Sequence, residues 1–221
     1  MESTPENKSS ETSHVWVGSP GSDSSLLFGF TCALADKDND ALVANIRAFK
    51  RGIILEEGAL PATMWIDEQR AEYDRRTLPH LLSAAGFLAV SDAFAEVLSG
   101  FDLGRTQLRP VALLKSDRKT PFSGTYFFLN IGEVHKHFAP EYSTRFMPMP
   151  KSRSSYIAGV SPDLRDGDIS VAPGALTGPD LWHDDTLSGS LFLSDRLVTA
   201  LRAAKLTRRL PLARCPVVNT T

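Results

Sequence analysis

The sequence predicts an α+β fold, a mixed sheet with helices packed on it. Three observations predict it. Short apolar runs end in turn residues, apolar stripes at helical spacing follow Ser or Asp caps, and one strand–capped helix–strand pattern occurs twice. The 221 residues are enough to bury a core without disulfides or metals.

Met1 to Ser13 is nearly all Ser, Thr, Glu, Lys, Asn and Pro and cannot bury apolar area. We expect a disordered tail over 1–13 and a single α+β domain over 14–221, with two lobes, 14–77 and 78–221, as the alternative division. His14 to Val17 reads as a strand before the turn Gly18-Ser-Pro-Gly21, and Leu26 to Leu34 as a second strand or strand pair. Asp36 to Asp40 offers helix caps and first-turn acids. Leu42, Ile46 and Phe49 then follow at helical spacing, and Gly52 ends the helix. Ile53 to Leu55, Ala62 to Ile66, Tyr126 to Ile131 and Ile169 to Ala172 read as strands. Asp67 to Arg76 is a polar connection, and His137 to Pro162 is a long loose region rich in Ser, Pro, Met and Tyr.

The internal echo is the most informative feature. Gly86-Phe-Leu-Ala-Val-Ser91-Asp92 and Gly189-Ser-Leu-Phe-Leu-Ser194-Asp195 are each a short apolar strand running into a Ser cap, at a constant offset of 103 residues. Phe94, Leu98 and Leu103 follow the first cap, and Leu197, Leu201 and Leu206 the second. Each Ser can accept from an orphan first-turn amide, and each Asp suits the positive helix end. The apolar triplets form one stripe for a sheet to cover. Both copies run on into apolar segments, Leu108 to Leu114 and Leu212 to Val218, with Pro110 and Pro216 near their starts.

Two cysteines, Cys32 and Cys215, read as buried reduced thiols rather than a disulfide framework. The tail has no apolar core of a secretory signal, and no stretch is apolar for long enough to span a bilayer, so the expectation is a cytoplasmic protein without a membrane partner. The net charge of −2 conceals −7 over residues 1–100 and +5 over 101–221, a dipole that can steer a charged partner.

Common catalytic motifs do not occur: no phosphate loop, dinucleotide fingerprint, nucleophile elbow, His-Glu-x-x-His or Cys-x-x-Cys. Two enzyme readings stay open. His183, Asp184 and Asp185 follow Trp182, so a His beside carboxylates could serve Cys215 as its base; the alternative is an acidic turn with Trp182 packed beneath it. His135 and His137 share one face of a strand and with Glu133 could begin a metal site; the alternative is two hydrogen-bonded histidines. The basic run Arg196, Arg202, Lys205, Arg208, Arg209 and Arg214 lacks the interleaved aromatics of a stacking platform, which disfavours nucleic acid.

The echoed segments carry a resemblance. Asp180-Leu-Trp-His-Asp-Asp-Thr-Leu-Ser-Gly through Ser194-Asp195 to Lys205-Leu206-Thr207 resembles the C-terminal signature of a bacterial polymorphic-toxin immunity protein family, immunity family eleven. The glycine of that family's closing step is replaced here by Lys205. Leu78 to Leu114 and Tyr126 to Asn130 resemble its middle region, while the chain before Leu60 departs from the pattern. The resemblance implies a non-enzymatic protein with no cofactor and no catalytic or metal residues, which binds and neutralises a cognate toxin encoded nearby. Such binding needs a few aromatic or charged anchors. The candidate toxin-binding residues are the loop residues Glu56, Glu57, Tyr142, Phe146 and Tyr156, with Asp36, Asp38 and Asp40 adding to the acidic first half.

Overall fold

The computed structural model describes residues 14–20, 23–149 and 156–219; the expected tail at 1–13 lies outside them. β1 (Val15–Gly18), β2 (Leu27–Phe28) and β3 (Phe30–Thr31) precede two helices, α1 (Ala33–Lys37) and α2 (Asn39–Lys50). β4 (Thr63–Ile66), β5 (Leu81–Ala84), β6 (Phe87–Ser91), α3 (Asp92–Ser99), β7 (Gln107–Leu114) and β8 (Tyr126–Asn130) follow. β9 (Val134–His135), β10 (Phe146–Pro148), β11 (Ala158–Val160), β12 (Leu181–Asp184), β13 (Leu187–Ser188), β14 (Leu191–Ser194), α4 (Asp195–Ala203) and β15 (Leu212–Cys215) complete the chain. The α+β class stands, and the sheets are mixed: β2–β5, β4–β7, β9–β12 and β11–β13 pair parallel within otherwise antiparallel ladders.

Two large sheets form, of seven strands (β2-β5-β6-β8-β7-β4-β3) and five strands (β15-β1-β14-β12-β9), beside a small one (β10-β11-β13). Strand alternation sorts the side chains into layers. Phe87, Ala89, Tyr126 and Phe128 face one side of the first sheet and pack with Leu42 and Phe49 of α2. Val90 and Leu129 face the other side, where they meet Leu193 and Leu181 of the second sheet. Phe94 and Leu98 of α3 and Leu197 and Leu201 of α4 fill the space between. Val17, Trp182 and Phe192 turn to the far face of the second sheet, against Val160 and Ile169. Both capped helices therefore share one core, which is why their apolar stripes follow the same spacing.

The two echoed segments are each strand, helix and strand here, and each frames an antiparallel intruder. β6 and β7 flank β8; β14 and β15 flank β1. The intruder comes from after β7 in one case and from the chain's beginning in the other. Cross-strand pairing places Tyr126 opposite Ser91 and Val111, and Val15 opposite Ser194 and Cys215. By that register Pro110 corresponds to Arg214, so the two prolines are not equivalent. Strands from residues 14–77 lie in both large sheets.

Several elements differ from expectation. Leu34 belongs to α1, not to a strand, since Asp36 and Lys37 suit helix ends and Gly29 already breaks the strand pair. Ile53 to Leu55 is irregular backbone held by a side chain, described below. Ile169 to Ala172 makes single bridges through Val171 to Phe138 and Val217 and no ladder. Leu181 to Asp184 is a strand rather than an acidic turn, because its successive residues Leu181 and Trp182 are buried on opposite faces. β5 and β6 form a hairpin through Ala85 (φ 50°) and Gly86 (φ 95°), the left-handed pair that a tight two-residue turn requires.

Candidate functional site

The two Ser caps act on backbone. Ser91 Oγ accepts from the Phe94 amide at 3.3 Å and Ser194 Oγ from the Leu197 amide at 3.2 Å. The hydroxyl of Ser194 also meets Asp180 Oδ1. Asp180 is a junction that sequence reasoning passed over. It is 1% exposed, takes the Asp102 amide at 2.9 Å, and receives Arg196 through two guanidinium nitrogens at 2.6 and 2.7 Å. In the first segment Ser91 meets the exposed His80 instead, Oγ to Nδ1 2.8 Å.

The His183, Asp184 and Cys215 group does not assemble into a triad. Asp184 is buried, and its two oxygens accept the amides of His137, Phe138 and Thr186 and the Thr186 hydroxyl at 2.6–2.9 Å. His183 Nδ1 lies 2.6 Å from the Ser190 carbonyl, so that nitrogen carries the proton; burial pushes the ring's pKa down, against that hydrogen bond. Cys215 is buried in the core layer with Trp182 and Phe192, and burial pushes its thiol pKa up, away from a reactive thiolate. Its strand is separated from β12 by β1 and β14.

His135 and His137 do share a face. Their rings stack at 5.4 Å, and both stand edge-on to Trp182. Burial, then the neighbouring His135 charge, pushes the pKa of His137 down against the pull of Asp184. Glu133 lies 3.4 Å from His135 but bonds Arg105, at the amide (2.7 Å) and the guanidinium (3.2 Å). Burial alone would raise the Glu133 pKa; those Arg105 contacts outweigh it and hold the carboxyl below its usual range. Among the described residues no three metal-ligating side chains converge.

The basic run is largely engaged inside the molecule. Arg196 grips Asp180, Arg202 lies 4.1 Å over the Trp16 ring, and Arg214 lies 5.6 Å from the same ring and 3.6 Å from Asp166. Arg209 reaches the Ser25 carbonyl at 3.4 Å. Arg202 and Arg214 thus cover the Trp16 ring of β1.

The five candidate binding residues fall in four places. Glu56 and Glu57 are exposed on the loop after α2, beside Ile53, which is 54% exposed. That loop is rigidly presented. Asn130, fully buried at the end of β8, receives the Leu55 amide at 3.3 Å and donates to the Leu55 carbonyl at 3.1 Å. Asn45 of α2 donates to the Ala59 carbonyl at 3.0 Å. The signal for Asn130 was present: it is the one amide side chain in the apolar run Tyr126 to Ile131. Tyr142 is exposed on a short 3₁₀ turn. Phe146 is half-buried and packs edge-on against Phe138 at 5.5 Å, which makes it a core contact more than an anchor. Tyr156 reaches the Lys50 carbonyl at 3.4 Å in the wall of a cleft beside α2. Asp38 is occupied as the α2 cap, accepting from Ala41 at 2.9 Å.

No helix among the described residues is long and apolar enough to cross a membrane. No protein-family model matches the chain, and no curated protein matches it.

Proposed function

We propose that this chain is an immunity protein, a stoichiometric binder that neutralises a cognate bacterial toxin in the cytoplasm, and that the loop from Ile53 to Leu60 is its principal contact. The observation that carries this reading is the grip of Asn130 on both polar backbone atoms of Leu55. A buried amide in a sheet is committed to holding a solvent-facing loop in one conformation. A loop fixed in advance loses little entropy on binding, which is how a preorganised surface gains affinity. What it presents is one apolar side chain, Ile53, beside two acids, Glu56 and Glu57. That combination suits a basic toxin face, with the charges speeding capture and the apolar group resisting release.

The engagement of His183, Asp184, Ser91 and Ser194 with the chain's own backbone supports a scaffold role for the groups that first suggested chemistry. We also infer that the two strand–capped helix–strand segments are copies of one unit. The like framing of β8 by β6 and β7 and of β1 by β14 and β15 supports that relation. The experiment is co-expression with the toxin encoded by the neighbouring gene. The wild-type chain should protect cells and co-purify with the toxin. Glu56→Lys with Glu57→Lys should weaken the complex by roughly tenfold or more. Failure of the wild-type chain to protect against that toxin removes the proposal.

A further inference from the structure

A cleft of about 890 Å³ opens between the last turn of α2, the β5–β6 hairpin and the small sheet. Leu27, Leu88, Ile131, Met147, Val160 and Leu191 give it a largely apolar wall. Leu27 and Met147 sit on the edge strands of two different sheets and are 48% and 52% exposed, so water wets apolar surface at the cleft. One helix supplies the charge. Arg47, Lys50 and Arg51, at helical spacing, all line the cleft. Among the described residues Arg47 and Lys50 make no ion pair, and the described lining contains no carboxylate. The Lys50 ammonium rests by the hairpin turn, 3.7 Å from where a Cβ on Gly86 would stand.

The volume is that of a small-molecule site. Methionine in the wall lets such a site adapt its shape to an alkyl chain. An apolar trough with cations at one side has a definite complement: an apolar tail bearing a single anionic head. We propose that this cleft binds a medium-chain acyl carboxylate, with the head group on Arg47 and Lys50 and the tail along Leu27, Leu88 and Met147. The assignment goes beyond the toxin reading and stands apart from it, because a small molecule tests it.

Isothermal titration of the full chain with sodium dodecanoate, below its micelle threshold, is the test. One-to-one binding is expected, roughly tenfold tighter than that of dodecyltrimethylammonium, which shares the tail and reverses the charge. Arg47→Glu with Lys50→Glu, and separately Met147→Glu, should each weaken dodecanoate by a similar factor. All three side chains are exposed, so unchanged melting curves will show that the variants fold. Any of these results overturns the proposal: no heat up to millimolar dodecanoate, equal binding of the two amphiphiles, undiminished binding to Met147→Glu, or, as the last, a dimer in sedimentation that Met147→Glu dissociates. The last would make the cleft a contact between copies of this chain. A parallel arm with vesicles of phosphatidylglycerol separates a free acid from a lipid surface; co-sedimentation with the vesicles, lost in Met147→Glu, would overturn the free-acid assignment.

Discussion

The two capped segments do the same thing to the backbone and different things with the neighbouring side chain. In each, the cap residue's amide bonds at 2.9 Å the carbonyl just before the first strand of the hairpin, Ser91 to His80 ahead of β5 and Ser194 to Asp180 ahead of β12. In each, the Ser hydroxyl accepts a first-turn amide. The side chain at that hairpin position is an exposed imidazole in the first segment and a buried carboxylate in the second. His80 touches only the Ser hydroxyl among the bonds described. Asp180 ties together the Ser194 cap, the Asp102 amide and Arg196. Both segments therefore cap with the hydroxyl, while the residue that meets it differs. The second segment uses it to fasten the loop after α3 to the start of α4.

Asp180→Ala leaves the Asp102 amide and the cap hydroxyl without their acceptor, and we expect a loss of about 3 kcal/mol in urea unfolding, since hydrogen bonds to charged groups are the strong ones. If that loss is matched by His80→Ala, the two positions are equivalent after all. Next is Asn130→Ala, which orphans both Leu55 backbone groups and should cost about 2 kcal/mol. It should also speed amide exchange in residues 53–60, while its effect on the capped helices stays small. Ser91→Ala should cost about 1 kcal/mol, the usual value of a lost cap, and Ser194→Ala more, because it also loses the contact to Asp180. Equal losses would mean that the Asp180 contact adds nothing to the second cap. His80→Ala should stay within about 0.5 kcal/mol, as surface changes do.

The last contrast is in pH, and it rests on His183 in β12 and His137 just after β9. His137 and His183 have pKa values pushed below the ordinary 6.5 by burial. The unfolded chain then takes up protons before the folded one does. Their contribution is complete above about pH 6.5 and is lost as pH falls through the depressed folded values. Thermal melts from neutral pH downward should show a falling Tm, and His137→Asn should flatten that slope. An unchanged slope in that variant would place the titration elsewhere.

Much of this fold was legible because it is local. The Ser91 and Ser194 caps, the α2 cap at Asp38 and the apolar stripes of α3 and α4 depend on residues within a turn or two of one another. What was misread depends on distant partners. Ile53 to Leu55 has strand-like residues, but an amide 75 residues away holds it as a loop. His183 to Asp185 carries two acids and a histidine and reads as a turn, yet β14 and β9 pair with Leu181–Asp184, and Asp184 answers four donors from neighbouring backbone and side chains. The candidate site divided the same way. Glu56 and Glu57 were visible as exposed acids, whereas the cleft draws Arg47 and Lys50 together with Met147 from about a hundred residues downstream.

By itself the sequence determined where α2, α3 and α4 start, which of their faces are apolar and that a strand–helix–strand pattern occurs twice, because capping and periodicity are properties of short stretches of chain. Only the tertiary structure decided that β1, from the chain's beginning, enters between β14 and β15, and that Trp16 bonds Asp195 across 179 residues at 2.7 Å. Strand pairing is chosen by which edges and apolar faces remain to be covered once the chain has collapsed, and no local residue preference encodes that choice.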